Sequence, residues 1–133
     1  MKLANRSKQS GCVDSSQRGG RAVLSPDARE DIREILLWSR DSFGSYAAAR
    51  YRALLIQALR DIEADPLRAG SRSRAELADG TRTYHLSFSR DQVQGPRVKT
   101  PRHLLLYRVG AAGIEVSRIL HDSRDLLRNV PQF

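Results

Sequence analysis

Residues Pro101–Arg128, PRHLLLYRVGAAGIEVSRILHDSRDLLR, constrain the fold of this chain more than any other stretch. Two apolar runs, Arg102–Val109 and Ile114–His121, are rich in Leu, Ile, Val and Tyr and are separated by Gly110-Ala111-Ala112-Gly113. Large aliphatic and β-branched residues suit a pleated, half-buried surface, and small residues bounded by Gly permit a reversal. The stretch therefore predicts a β-hairpin. Its fringe is polar and mostly cationic: Arg102, His103, Arg108, Arg118, His121 and Arg124. A two-stranded ribbon is marginal alone in water, so the remaining chain must cover one face of it or add strands.

Upstream, Ala22–Leu24 fits a short edge strand. Ser25 is placed as a helix N-cap, Pro26 as the first helical residue, and Asp27 and Glu30 as anions favoured by the N-terminal dipole. Ala28, Ile32, Ile35, Leu36 and Phe43 then form one helical stripe, which Gly44 ends. Ser45 is expected to cap a second helix with the stripe Ala47, Tyr51, Leu54, Leu55, Ala58 and Ile62. That helix stops at Asp65, because Pro66 disfavours helical geometry in the residue before it. Two amphipathic helices joined by one glycine need a sheet to lie on. Leu67–Gly80 reads as a loop and Thr81–Ser89 as an alternating strand, with Arg82, Tyr84, Leu86 and Phe88 on one face. Arg90–Thr100 is a polar connection, and residues 122–128 suggest a short helical turn.

The charge is asymmetric. The chain of 133 residues carries 23 Lys+Arg against 15 Asp+Glu, a formal net charge of +8. Only Lys2, Lys8 and Lys99 are lysines. The excess falls on residues 66–109 and 1–21, while the first helix is net acidic, so the sheet and its loops carry the positive charge. Two explanations fit an arginine-rich balance: recognition of carboxylates or phosphates by the guanidinium fork, or coding bias in a GC-rich genome. The single cysteine, Cys12, allows no internal disulfide framework. No run approaches a membrane span and no apolar segment follows Lys2 and Arg6 as in a secretory signal, so no membrane association and a cytoplasmic location are expected. Residues 1–20 lack apolar periodicity and are expected to be a disordered extension before a single domain over 21–133.

No phosphate-binding Gly-rich loop, zinc-protease motif or Cys pair occurs, and no cofactor or metal is expected. His85, His103 and His121 each fall on an expected strand. The cluster His121, Asp122, Arg124 and Asp125 fits two roles. One is phosphate chemistry, with histidine as acid or base and arginines stabilising charge. The other is a structural knot in which Asp122 or Asp125 pairs with Arg118 or Arg124. Leu37 and Ile56 fall opposite their helices' stripes, with Trp38 on a flank. They are either ordinary exposed apolar residues or part of a docking surface.

The ordered segments LSPDAREDIREI, FGSYAAARYRALLIQAL, GTRTYHLSFS, PRHLLLYRV and IEVSRILHDSRDL resemble the RelE/ParE toxin superfamily, specifically its ParE branch, over about residues 22–130. The resemblance implies an α+β fold of order β-α-α-β-β-β, with the helical hairpin packed on an antiparallel sheet. It also implies a type II toxin that binds and inhibits DNA gyrase, is neutralised by a ParD-like antitoxin, and meets operator DNA only through that antitoxin. The alternative is a RelE-like endoribonuclease cleaving mRNA. The tyrosine that such nucleases carry near the C-terminus is absent here, where Leu126, Leu127 and Arg128 stand. On this basis Leu37, Trp38, Arg82, Arg102 and Arg108 are expected to contact the antitoxin. Arg118, His121, Arg124 and Arg128 are expected to contact the target.

Overall fold

The two apolar runs of the C-terminal half pair as the hairpin requires. In the computed structural model, which describes residues 21–111, 113–124 and 126, they form β4 (His103–Gly110) and β5 (Gly113–His121). Gly110 faces Gly113 across the turn, and a register irregularity lies at Leu106/Tyr107. The preceding elements are β1 (Ala22–Leu24), α1 (Pro26–Phe43), α2 (Ser45–Ala64), β2 (Ser71–Ser73) and β3 (Thr81–His85), followed by a 3₁₀ helix (Leu86–Gln92). The strands make one sheet in the order β1-β5-β4-β3-β2. β1 runs parallel to β5 and the other neighbours are antiparallel, so this α+β fold is built on a mixed sheet.

α1 starts as its sequence dictates: Ser25 Oγ accepts the Ala28 N–H at 2.9 Å and Pro26 opens the helix. Gly44, with φ of 96°, ends α1 and also stands at the N-cap of α2. Ser45 is therefore the first helical residue and not the expected cap, since a one-residue link leaves no room for two separate caps. The helical hairpin lays Ala28, Ile35, Leu54, Leu55, Ala58 and Ile62 on Tyr84, Leu105, Tyr107, Ile114, Val116 and Ile119. Phe43 does not join this core. It is 67% exposed and stacks edge-on against Trp38 with ring centroids 5.4 Å apart. The opposite face of the sheet is covered locally, where Leu77 from the β2–β3 loop and Leu126 pack on Leu104, Leu106 and Leu120.

Two further expectations change. The stretch Leu67–Gly80 contains a strand, β2, whose Ser-Arg-Ser sequence has no apolar signature and which is defined only by pairing with β3. The strand expected over Thr81–Ser89 stops at His85, because His85 Nδ1 accepts the Ser87 N–H at 3.1 Å and turns the chain into the 3₁₀ helix. Both Tyr84 and Tyr107 are fully buried, as their strand positions implied. The expectation for residues 1–20 lies outside the described residues.

The N-terminus of α1 protects the edge of β5 where β1 ends. Ser25 donates its backbone N–H to the Val116 carbonyl at 3.0 Å and its hydroxyl to the Ser117 carbonyl at 2.7 Å. One turn later the buried Asp31 carboxylate accepts the Ile119 N–H at 2.9 Å, together with Arg118 Nε at 2.7 Å and Nη2 at 3.0 Å. Strand pairing is thus continued by a helix side chain.

Candidate functional site

At the end of the sheet nearest the α1–α2 turn, the three histidines meet. His103 and His121 are direct partners in the β4–β5 register, their rings edge-to-face with centroids 5.3 Å apart. His85, from β3, reaches the same end through Asp122: its Nε2 lies 3.0 Å from Asp122 Oδ2. Arg102 approaches Asp122 Oδ1 at 3.1 Å, and His121 Nδ1 lies 3.5 Å from that oxygen. The expected knot is met in part by other partners. Asp122 pairs with Arg102 and His85, while Arg118 pairs with Asp31; Asp125 lies outside the described residues.

Hydrogen bonding assigns each ring its tautomer. His121 Nδ1 accepts the Ser123 N–H at 3.1 Å, as His85 Nδ1 accepts that of Ser87, so a neutral ring carries its proton on Nε2 in both. The sequences HLS and HDS form the same local turn at the ends of two strands. His103 follows by a different route. The Tyr51 hydroxyl accepts the Arg102 N–H at 3.1 Å and lies 2.6 Å from His103 Nδ1, so its one proton points to that nitrogen. Burial, with the neighbouring His121 second, pushes His103 down to about 4, and burial pushes Tyr51 up to about 12. Burial raises Asp122, but the hydrogen bonds from His85 and Arg102 outweigh it and hold the carboxyl below its ordinary value.

Beside this cluster opens a cleft of about 530 Å³ between the tip of the helical hairpin and the connection before β4. Its floor is Ile35, Trp38, Phe43 and Val98, and its polar wall is Tyr51, His103 and His121. Arg50, Arg97, Lys99 and Arg102 line the remainder, with no carboxylate among the lining residues. Arg97 pairs with the exposed Asp91, whereas Arg50 and the Lys99 ammonium have no partner among the described residues. Neither was singled out from the sequence. Arg50 lies outside the apolar stripe of α2 and Lys99 in the connection before β4; only the packing of α2 against that connection brings both to the cleft.

The residues expected to act together are only partly assembled. Trp38, 58% exposed, and Arg102 both line the cleft, with the exposed Leu37 next to Trp38 on α1. Arg82 and Arg108 lie toward the other end of the sheet and serve different partners. Arg82 Nε donates to Ser71 Oγ at 2.6 Å, beside the Tyr107 hydroxyl, and Arg108 Nε meets Glu115 at 2.6 Å. Of the residues expected at the target, His121 lines the cleft and Arg124 is exposed on the turn after β5. Arg118, its side chain 28% exposed, pairs with Asp31, and Arg128 lies outside the described residues. No group of metal-ligating side chains able to hold an ion occurs among the described residues, and no helix there is long and apolar enough to cross a membrane.

The fold is similar to that of a solved structure described as the chromosomal ParDE TA system from P. aeruginosa. The likeness covers 78% of this chain and 97% of that one, with a TM-score of 0.57 at 13% sequence identity. The fold is shared while most side chains differ. No curated protein sequence matches the chain. Over residues 22–126 the sequence matches the model of the ParE toxin of the type II toxin–antitoxin system parDE, and the chain belongs to that family.

Proposed function

We propose that this ParE-type toxin acts in the cytoplasm by binding and inhibiting DNA gyrase without catalysing a reaction, and that a ParD-like antitoxin neutralises it by occupying the cleft. The observation that carries the antitoxin reading is the cleft itself, an apolar floor ringed by cations with no carboxylate in its lining. An acidic amphipathic segment complements it: apolar side chains on Trp38, Phe43 and Leu37, and carboxylates at Arg50, Lys99 and Arg102. Arg82 and Arg108 fit a tail that continues along the sheet past the cleft. Operator DNA is reached through the antitoxin, and Arg118, His121, Arg124 and Arg128 are the residues proposed to contact gyrase.

Co-purification with the antitoxin and a gyrase supercoiling assay test this reading. Reversing Arg50 and Lys99 to Glu lowers antitoxin affinity at least about tenfold and flattens its dependence on salt. Unchanged affinity in that variant refutes the placement. Unimpaired supercoiling at micromolar wild-type toxin refutes the target.

A second reading, RNA cleavage, is favoured by one observation: His121 stands on the wall of a cationic cleft, where a histidine can move a proton at a phosphate. An RNA cleavage assay run beside the supercoiling assay separates the two. Scission that His121→Asn abolishes supports the nuclease.

A further inference from the structure

His121 ends β5 and lines the cleft with its side chain 43% exposed. Its Nδ1 is engaged by Ser123, and among the described residues no group hydrogen-bonds to its Nε2. The charged and titratable groups around it come from every element packed at this end. β4 contributes His103 and the residue before it contributes Arg102; α2 contributes Arg50 and Tyr51; the connection before β4 contributes Arg97 and Lys99. Asp122 follows on the same turn, tied to His85 of β3. Asp122 Oδ1 lies 3.5 Å from His121 Nδ1.

A neutral His121 offers one donor to the cleft. A protonated His121 still offers Nε2–H to an occupant, while its Nδ1–H gives up the Ser123 N–H and donates to the Ser123 hydroxyl oxygen 2.8 Å away, with Asp122 Oδ1 at 3.5 Å, so the imidazolium stands between two carboxylates when the occupant is acidic. Each carboxylate favours the charged ring. His103 is no substitute: the Tyr51 hydroxyl holds its Nδ1 and burial keeps it neutral.

We infer that the cleft is a proton-linked carboxylate site, in which an acidic group of the occupant and a proton on His121 bind together, so that the occupant is held more tightly as the solution becomes more acidic. This rests on the antitoxin reading for the natural occupant, an acidic segment of that partner. By linkage, each factor of affinity that the proton confers on the carboxylate is conferred in return.

The test uses the full chain and a small probe, 3-phenylpropionate, whose ring suits the apolar floor and whose carboxylate suits His121. Binding is followed by NMR through the His121 ring Cε1 proton at pH 6 and pH 8. The expected result is a Kd several-fold lower at pH 6 than at pH 8. The uncharged 3-phenylpropionamide is expected to bind more weakly and equally at both pH values. His121→Asn keeps an oxygen where Nδ1 stood, able to accept the Ser123 N–H, and removes the titration; its Kd for the acid is expected not to change with pH. Equal acid affinity at both pH values, the same pH dependence in His121→Asn, or no binding of the acid at millimolar concentration overturns the inference. Whether an antitoxin binds at all is read separately by co-purification, so the two failures are distinguishable.

Discussion

Asp31→Ala is the most informative perturbation of this fold, because one carboxylate does two jobs at the edge of β5. It accepts the Ile119 N–H at 2.9 Å in place of a strand neighbour, and it grips Arg118 through Nε and Nη2. Asp31 is 9% exposed, so water replaces little of what is lost. Leaving a buried backbone N–H unpaired costs about 1–3 kcal/mol. Breaking a buried ion pair on one side costs about 3–5 kcal/mol. The Arg118 side chain keeps 28% exposure and can rehydrate, which places the whole loss near the lower values, about 3–4 kcal/mol. Against a typical stability of about 5–15 kcal/mol this is a large fraction, and it lowers the Tm by roughly 10 °C. Asp31→Asn retains an acceptor for Ile119 and loses only the charge, so it falls about halfway. Urea denaturation followed by circular dichroism at neutral pH measures both, and a double-mutant cycle with Arg118→Ala isolates the pair, with a coupling above about 1 kcal/mol expected. A loss under 1 kcal/mol in Asp31→Ala, or additive single mutants, would refute the view that a helix side chain completes this strand.

Two further outcomes follow from the packing. His103, with a folded value of about 4 against an ordinary 6.5, binds fewer protons folded than unfolded. Its neutral burial therefore contributes full stability above pH 6.5, and up to about 3 kcal/mol is lost as pH falls from 6.5 to 4. In His103→Asn, which keeps an acceptor for the Tyr51 hydroxyl, chemical denaturation across that window should show a flatter slope; an unchanged slope assigns the acid sensitivity elsewhere. Gly70 has φ of 99°, and a Cβ there would stand 2.5 Å from Phe88 Cγ. Gly70→Ala should cost about 1–3 kcal/mol through strain and overpacking. Adding Phe88→Ala should recover the steric part and not the backbone part, and no recovery in melting experiments would show that the ring moves aside freely.

Much of this molecule was legible in its sequence. Ser25-Pro26 opens α1, the stripe from Leu54 to Ile62 faces the core, and the Gly-bounded hairpin of β4 and β5 forms, because each depends on residues within a turn or two of one another. The ordered segments also carried the family resemblance that the match over residues 22–126 bears out. β2 was hidden because Ser71–Ser73 has no apolar pattern and is a strand only by pairing with β3. The Thr81–His85 strand was overextended because His85 and Ser87 make a turn inside an alternating pattern.

Periodicity, caps and turn residues thus determined the elements and their amphipathic faces on their own. Tertiary packing decided which charges are spent and which are offered. Arg118 is bound to Asp31, 87 positions away in sequence, while Arg50 and Lys99 are brought together from a helix and a loop without a carboxylate between them. Local signals extend over one or two turns of chain, whereas ion pairing and cleft formation depend on distances in space that only the folded sheet sets.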